Sequence, residues 1–573
     1  MSEPLSSEEA AYAGRWVALV RGKIIAQGES REQVFHAARN IRSKEVAEIR
    51  YMPAMPVSNP LLDAIRALVP PDEPIALVGG AVRDAVMGRA THDLDFACRH
   101  GLKLAKKVSD GLKAAYFPLD ENFDTGRVIL LNPDGSRETL DFTGYRGETL
   151  MDDLAGRDFT INAVAMDLHS GEIIDPMGGV NDIRARLIRA CRPSSLSDDP
   201  VRILRAVRQA AAFGFRIQPE TRTLMKSAAA SLQKTSPERL RDELFKMLAG
   251  RKPDASIRAL ELLGVFPYLL PELSALRGVE QSAPHVQDVW AHTLAVLRHL
   301  EHILGTLAAE YDEQKANSDL INSLLVLRLG RYREQISAHL RASLNVDRPA
   351  RGLLFFAALY HDVDKPQTKT IEESGRIRFL GHDELGAGTA VKRGSALRLS
   401  KDELERLSLI IKHHMRVHGQ SSRAESGREP SRKAIYRFFR DAGEAGIDLI
   451  LLALADTRAT YEHTLPQEHW AATLETCRTL LEAWFETPEE VIHPRPVVNG
   501  DDLLNELKLK PGPDIGSILE AIRENQAAGK ISAREEALAF ARGWVEKARV
   551  TAIKPTAQKT SAPPRFRKEG KNG

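Results

Sequence analysis

The segment Leu77-Val-Gly-Gly-Ala-Val-Arg-Asp84, followed by Gly88-Arg-Ala-Thr-His-Asp-Leu-Asp95, constrains this chain more than any other. It reads as an apolar strand, a Gly-Gly turn, a short helix and a second strand carrying two aspartates. Gly79 and Gly80 let the backbone approach a ligand closely, and the N–H groups that open the next helix suit a phosphate. Asp93 and Asp95 are two apart on a strand, so both carboxylates face one side. Two hard oxygen ligands beside a phosphate cradle suit Mg²⁺ and phosphoryl or nucleotidyl transfer. The plainer alternative is a glycine turn leading into a surface strand with ordinary aspartates.

A two-metal site usually takes a third carboxylate from a neighbouring strand. Val128–Leu131, a turn at Asn132-Pro-Asp-Gly135 and Glu138–Thr143 predict a β-hairpin whose second strand carries Asp141. Asp141 is the candidate third ligand, and Arg146 beyond it is placed to meet a triphosphate. Arg157 and Asp158 then open a segment that turns apolar around Asn162. Glu172–Gly179 reads as a strand and tight turn. Asp198-Asp-Pro-Val-Arg202 predicts a helix start, with acidic residues at its N-terminus and Pro200 in its first turn. Arg202, Arg205 and Arg208 recur at threes along that helix, which is equally the pattern of a solvated basic stripe.

Taken in order, these motifs resemble the family of tRNA nucleotidyltransferases and bacterial poly(A) polymerases. The resemblance rests on Leu77–Asp84, Asp93-Leu-Asp95, Arg157–Ala163, Asp175–Gly179, Asp199–Arg202 and Ser236–Lys246. It implies that Asp93, Asp95 and Asp141 are catalytic and hold the metals, and that Gly79, Gly80 and Arg83 serve the triphosphate. It also implies that Arg157, Asp158 and Asn162 line the nucleotide's sugar and phosphates. Asp199 and Arg202 would read the incoming base, with Arg205 and Arg208 beside them. A carboxylate and a guanidinium can match the Watson–Crick edge of cytosine or adenine. The chain departs from the family pattern at Gly156, where a second arginine is common, and at Asp198, where glutamate is common. The span from Arg146 to Arg157 is also short, as in members that add only C.

Farther along, His292, His361-Asp362, His382, His413-His414 and Asp456 occur in an order that resembles the HD metal-dependent phosphohydrolases, an all-α fold. That resemblance implies His292, His361, Asp362 and Asp456 as core ligands, with His382 and one of His413 or His414 as accessories. Imidazole plus carboxylate suits a divalent transition metal. Asp364 stands where glycine commonly follows the His-Asp pair. Pro496–Leu504 and Leu509–Ile522 again resemble the C-terminal portion of tRNA nucleotidyltransferases.

The expected fold class is multidomain α+β. A small αβ appendage (1–58) precedes a polymerase-beta-like nucleotidyltransferase head on a mixed sheet (59–190). A helical neck (191–275), an all-α HD domain (280–480), a helical C-terminal region (495–546) and a basic disordered tail (547–573) follow. Gly419–Pro430 reads as a mobile loop. The 573-residue chain has a net charge of only +2, so an RNA-binding surface must come from local asymmetry. Three dispersed cysteines and the lack of a membrane span or signal sequence point to the cytoplasm. The expected partners are the tRNA 3′ end, CTP and ATP, with no membrane. The expected activity is template-independent addition of C, and of A, to tRNA ends. Poly(A) synthesis, C-only addition and HD phosphohydrolysis are the alternatives.

Overall fold

The computed structural model describes residues 16–20, 23–28, 31–41, 47–51, 60–89, 93–131, 137–309, 319–345 and 348–553. The turn at Arg21-Gly22, the turn at 132–135, the polar stretch at 311–318 and the end beyond Ile553 lie outside them. Contacts gather into two compact units. One is drawn from Met1–Ser282, Gln287–Glu301 and Ser343–Leu404, and the other from Ala283–Val286, His302–Ala342 and Glu405–Gly573.

In the first unit, strands β1 (Trp16–Val20), β2 (Lys23–Gly28) and β3 (Glu48–Tyr51) form a small antiparallel sheet beside helix α1 (Arg31–Asn40). This matches the expected appendage. After helix α2 (Pro60–Leu68) come β4 (Ile75–Val78), α3 (Gly80–Val86), β5 (Asp93–Cys98) and α4 (Gly101–Leu112). Three antiparallel strands follow, β6 (Ala115–Asp120), β7 (Thr125–Leu131) and β8 (Arg137–Gly144), then α5 (Leu150–Ala155), β9 (Ala165–Asp167) and β10 (Ile173–Ile174). They build a mixed seven-stranded sheet in the order β10-β9-β4-β5-β8-β7-β6, with β5 and β8 parallel.

Alternation along β5 explains the layering. Leu94 and Phe96 are buried under α2 and α4, with Phe96 stacked on Phe142 at 4.8 Å between ring centroids. Asp93 and Asp95 take the opposite face. Burial of the apolar row holds the strand in this register, because a slip by one residue would put both carboxylates into the core.

Helix α6 (Gly179–Ala185) and strand β11 (Leu187–Ile188) lead out of the sheet, and β11 pairs in parallel with β12 (Arg216–Ile217). The neck helices include α7 (Ser195–Asp198), α8 (Arg202–Phe213), α9 (Pro219–Ala228) and α10 (Pro237–Leu248). Helix α8 starts at Arg202 rather than at the acidic pair, because Asp199 is extended and separates it from α7. Ile203, Leu204, Ala206 and Val207 bury one face of α8 and leave its arginines on the other.

Also in this unit, helix Ala350–Tyr360 is buried from end to end. It delivers His361 and Asp362 at its C-terminal end.

The second unit is helical. Its helix Ala445–Tyr461 is buried on nearly every side and carries Asp456 within its length. Gly419–Glu425 is also helical, within Met415–Glu425, because Val417 and Ser421 are buried and override a loop-like composition. The last helix, Arg534–Ile553, continues into the stretch expected to be disordered. Among the described residues no helix is long and apolar enough to cross a membrane.

Candidate active site

The sheet register brings three carboxylates together. Asp95 on β5 pairs directly with Asp141 on β8, and Asp93 precedes Asp95 by two residues on the same face. Asp141 in turn accepts both Nε and Nη2 of Arg127, each at 2.8 Å. Asp95 is open to water yet recessed beneath the surrounding walls. That partial loss of solvent, then the neighbouring Asp141, raises its pKa above the usual carboxylate value against the opposing pull of Arg157. A row that crowds two further carboxylates around Asp95 suits a divalent cation, with Arg127 as the counter-charge beside Asp141.

Gly79 closes the strand at φ 70°, and a Cβ there would come within 3.0 Å of Arg157 Nη1. The missing side chain lets that guanidinium lie over the turn. Arg157 is tethered to the buried Asp153 through Nε and Nη2 at 3.0 and 2.9 Å. A capping box between Thr149 and Asp152 fixes the start of α5, so an ordered helix fills much of the short Arg146–Arg157 span.

Beyond the turn lies a cleft of about 570 Å³ walled by Arg83, Arg146, Arg157, Arg202 and Arg205, with Asp95 at one side. Gly80, Asp199 and Arg208 also line it. A triphosphate is the ligand such a wall suits. Arg83 donates Nη1 to Asn162 Oδ1 at 2.7 Å and Nε to Asp84 at 2.9 Å, and its guanidinium lies 4.4 Å from the centroid of the Phe213 ring. Asn162 donates to Asp158 at 2.8 Å and to Gln209 at 3.1 Å. Asp158 is buried and accepts Phe159 N–H and Arg205 Nε, at 2.8 and 2.9 Å. Glu243 on α10, also buried, accepts Arg205 Nη1 and Arg208 Nε at 3.2 and 2.7 Å. Asp158, Asn162 and Glu243 thus hold the arginines in place rather than standing free.

Asp199 sits between Arg239 Nη2 at 2.7 Å and Arg202 Nε at 3.7 Å. Arg202 also donates to the carbonyls of Gly156, Arg157 and Ser195. The backbone at Gly156 therefore serves Arg202 without needing the family's usual side chain there.

Sequence reasoning assigned no role to Arg127, Gln209, Phe213, Arg239 or Glu243. Arg239 and Glu243 lie inside the Ser236–Lys246 motif, four residues apart on a helix, which places both on one face. Arg127 is found only through the hairpin register, opposite Asp141.

The first unit holds a second polar cluster. Asp362 lies 3.1 Å from His361 Nε2, 3.4 Å from His382 Nε2, 3.6 Å from His292 Nε2 and 2.7 Å from Lys365 Nζ. His361 and His382 each direct Nδ1 at a backbone carbonyl three residues back, at 2.8 and 2.7 Å, which leaves Nε2 facing the carboxylate. This donor set fits a divalent ion. Asp364 is buried and accepts Thr389 Oγ1 at 2.6 Å, a structural role on the neighbouring helix. In the second unit, Asp456 lies 2.8 Å from His418 Nε2, and His414 Nδ1 is 2.7 Å from the Ile411 carbonyl. His413 lies beside His414 at the end of helix Lys401–His413. His418 was not singled out from the sequence.

Family models place these features in order. The Poly A polymerase head domain matches residues 75–189, an RNA- and SrmB-binding site of polymerase A matches 214–276, and the HD domain matches 289–459. A tRNA nucleotidyltransferase domain 2 model matches 490–541. A CC-adding tRNA nucleotidyltransferase of Thermus thermophilus is 33% identical over 82% of this chain and 93% of its own length. The chain belongs to the tRNA nucleotidyltransferase family. An A-adding tRNA nucleotidyltransferase of Deinococcus radiodurans is 31% identical over 84% of this chain and 98% of its own length. The fold is shared with a CCA-adding enzyme solved in complex with CTP, at a TM-score of 0.55 and 22% identity, over 86% of this chain and 96% of that one. As a family member the chain is an RNA nucleotidyltransferase of multidomain α+β build. Its head and HD domains are both of types that use divalent metal.

Proposed function

We propose that this enzyme adds C residues to the 3′ end of tRNA from CTP. The observation that carries the reading is the in-register carboxylate row beside an arginine-walled cleft. Asp93, Asp95 and Asp141 would hold Mg²⁺, which lowers the pKa of the RNA 3′-hydroxyl and offsets charge on the leaving pyrophosphate. Arg83, Arg146 and Arg157 bind the β- and γ-phosphates and orient the α-phosphate toward Asp95. Asp199 and Arg202 present an acceptor and donors to the base edge, and Arg239 fixes the Asp199 carboxylate. A mismatched base leaves these groups unpaired, which is the strongest form of discrimination available to a polar pocket. The helix-filled Arg146–Arg157 span favours C-only addition, while the similarity to an A-adding relative favours A addition as the second reading. In the first unit, His292, His361 and Asp362 would hold a divalent transition metal, as the resemblance to the HD fold implies. The domain bounds proposed are those read from the sequence: head 59–190, neck 191–275, HD region 280–480 and C-terminal region 495–546.

The deciding assay supplies tRNA lacking its CCA end, Mg²⁺, and CTP, ATP or both, and sequences the product ends. Ends in CC, with nothing further when ATP is present, are expected. Ends in CCA would overturn C-only addition, a single A on CC-ended tRNA would favour the second reading, and no addition would overturn the assignment.

Phe213 supplies a smaller test. Its ring supports Arg83, so Phe213→Ala should raise the KM for CTP about three- to tenfold, the range of a partly desolvated cation–π contact. Phe213→Tyr should restore it. An unchanged KM in Phe213→Ala would remove Phe213 from the triphosphate site.

A further inference from the structure

The carboxylate row does not stop at Asp141. Asp95 pairs with Asp141, Asp141 with Arg127, and Arg127 with Phe117 on the edge strand β6. Directly paired residues project to the same face, so these four side chains form one line across the sheet. At about 4.8 Å per strand, Phe117 stands about 10 Å from Asp141 along that line.

Phe117 has no structural reason to be large and apolar. It is 47% exposed, whereas its neighbour Tyr116 turns to the other face and packs on the core. Nor does its strand invite another strand to pair. Pro118 removes a backbone donor, and the register shifts between Pro118 and Asp120, both of which blunt an edge.

The same face opens into a second cleft, of about 1230 Å³. Asp93, Asp95, Asp141, Arg127 and Thr139 form its sheet side, and Arg208, Arg241 and Lys246 line it from α8 and α10. Arg241 is held by Asp242 and by the Arg398 carbonyl, while Lys246 is exposed on α10. Lys246 and Arg208 also line the nucleotide cleft, so the two clefts share a cationic seam at the carboxylates.

Cations for phosphates and an exposed ring for a base are the two elements of a single-strand nucleic-acid track. We propose that the acceptor strand of the RNA runs along this row, its 3′-hydroxyl at Asp95 and an upstream base stacked on Phe117. The proposal rests on the nucleotidyl-transfer reading and gives that site its second substrate's path. It requires no base-specific hydrogen bond, as suits a strand recognised by backbone and stacking.

The test uses the full chain with tRNA lacking its CCA end. Phe117→Ala should raise the KM for tRNA about tenfold, with kcat at saturating tRNA and the KM for CTP both unchanged. Phe117→Trp should stay near wild type, since stacking is preserved. Phe123→Ala is the control, because Phe123 is 63% exposed but lies in the turn beyond β6, off the row. Three results would overturn the track: a wild-type KM for tRNA in Phe117→Ala, an equal loss in Phe123→Ala, or a change in oligomeric state on sedimentation, which would make Phe117 a contact for a second copy. Direct binding of the same tRNA, measured by fluorescence anisotropy, separates this from failure of the activity itself. If wild-type protein adds no nucleotide, the transferase reading fails, and weaker tRNA binding by Phe117→Ala alone still supports the track.

Discussion

Asp95→Asn is expected to lower nucleotide addition by at least about a thousandfold, the order of effect that follows when several kcal/mol of metal-borne charge stabilisation are lost from the transition state. Asp95 is the centre of the acidic row. It faces Asp141 across the parallel β5–β8 pair and is flanked by Asp93 on its own strand. Asparagine keeps the shape and removes one negative charge, so the loss reads charge and not volume. The folded protein should tolerate the change. Asp95 is repelled by Asp141 and Asp93, which help to raise its pKa, so removing its charge relieves the uncomplexed head rather than straining it. Thermal melting should therefore show a midpoint no lower than wild type without metal. Added Mg²⁺ should raise the wild-type midpoint by mass action and leave the variant's nearly unchanged. Addition at more than a tenth of the wild-type rate would sink the metal assignment, and His361→Ala should leave addition largely intact.

Much of this site was legible in the sequence because its parts are local. The β4–turn–α3–β5 segment is contiguous, its glycines and aspartates follow strand and turn rules, and the hairpin carrying Asp141 lies close behind. What was not legible depends on register and on helix-to-helix contact. Arg127 is an ordinary strand arginine until β7 is paired with β8. Glu243 resembles a solvated residue of an amphipathic helix, yet packing of α8 against α10 buries it between two arginines. Phe117 gains meaning only when four strands are aligned. The error on helices has a cause of this kind as well. Serines and glycines made all of 419–430 look like a loop, whereas only 426–430 is one, because tertiary burial of Val417 and Ser421 is not visible in local propensity.

Asp158→Ala should cost about 3 kcal/mol of stability and weaken nucleotide binding together. Removing one partner of a buried ion pair typically costs about 3–5 kcal/mol, because the other charge is left without its counter-ion. The lower end applies here, since the Arg205 side chain is 36% exposed and keeps Glu243 at 3.2 Å. Asp158 also accepts both the Phe159 amide and Asn162, whose Oδ1 in turn accepts Arg83. Without it Asn162 keeps only Gln209 as an acceptor, its hold on Arg83 loosens, and the KM for CTP should rise. The pH dependence has a definite sign. Burial alone would raise the Asp158 pKa, but Arg205 and the Asn162 amide outweigh it and hold the carboxyl below its ordinary value. A carboxyl with a depressed folded pKa contributes stability that is fully present above its unfolded pKa, near about 4, and is lost as pH falls toward the folded value. The wild-type advantage over Asp158→Ala in urea unfolding should therefore be constant from neutral pH down to about pH 5 and shrink below about pH 4. An advantage that persists undiminished in acid would mean that packing, not the Asp158–Arg205 charge pair, ties the loop after α5 to the neck helix.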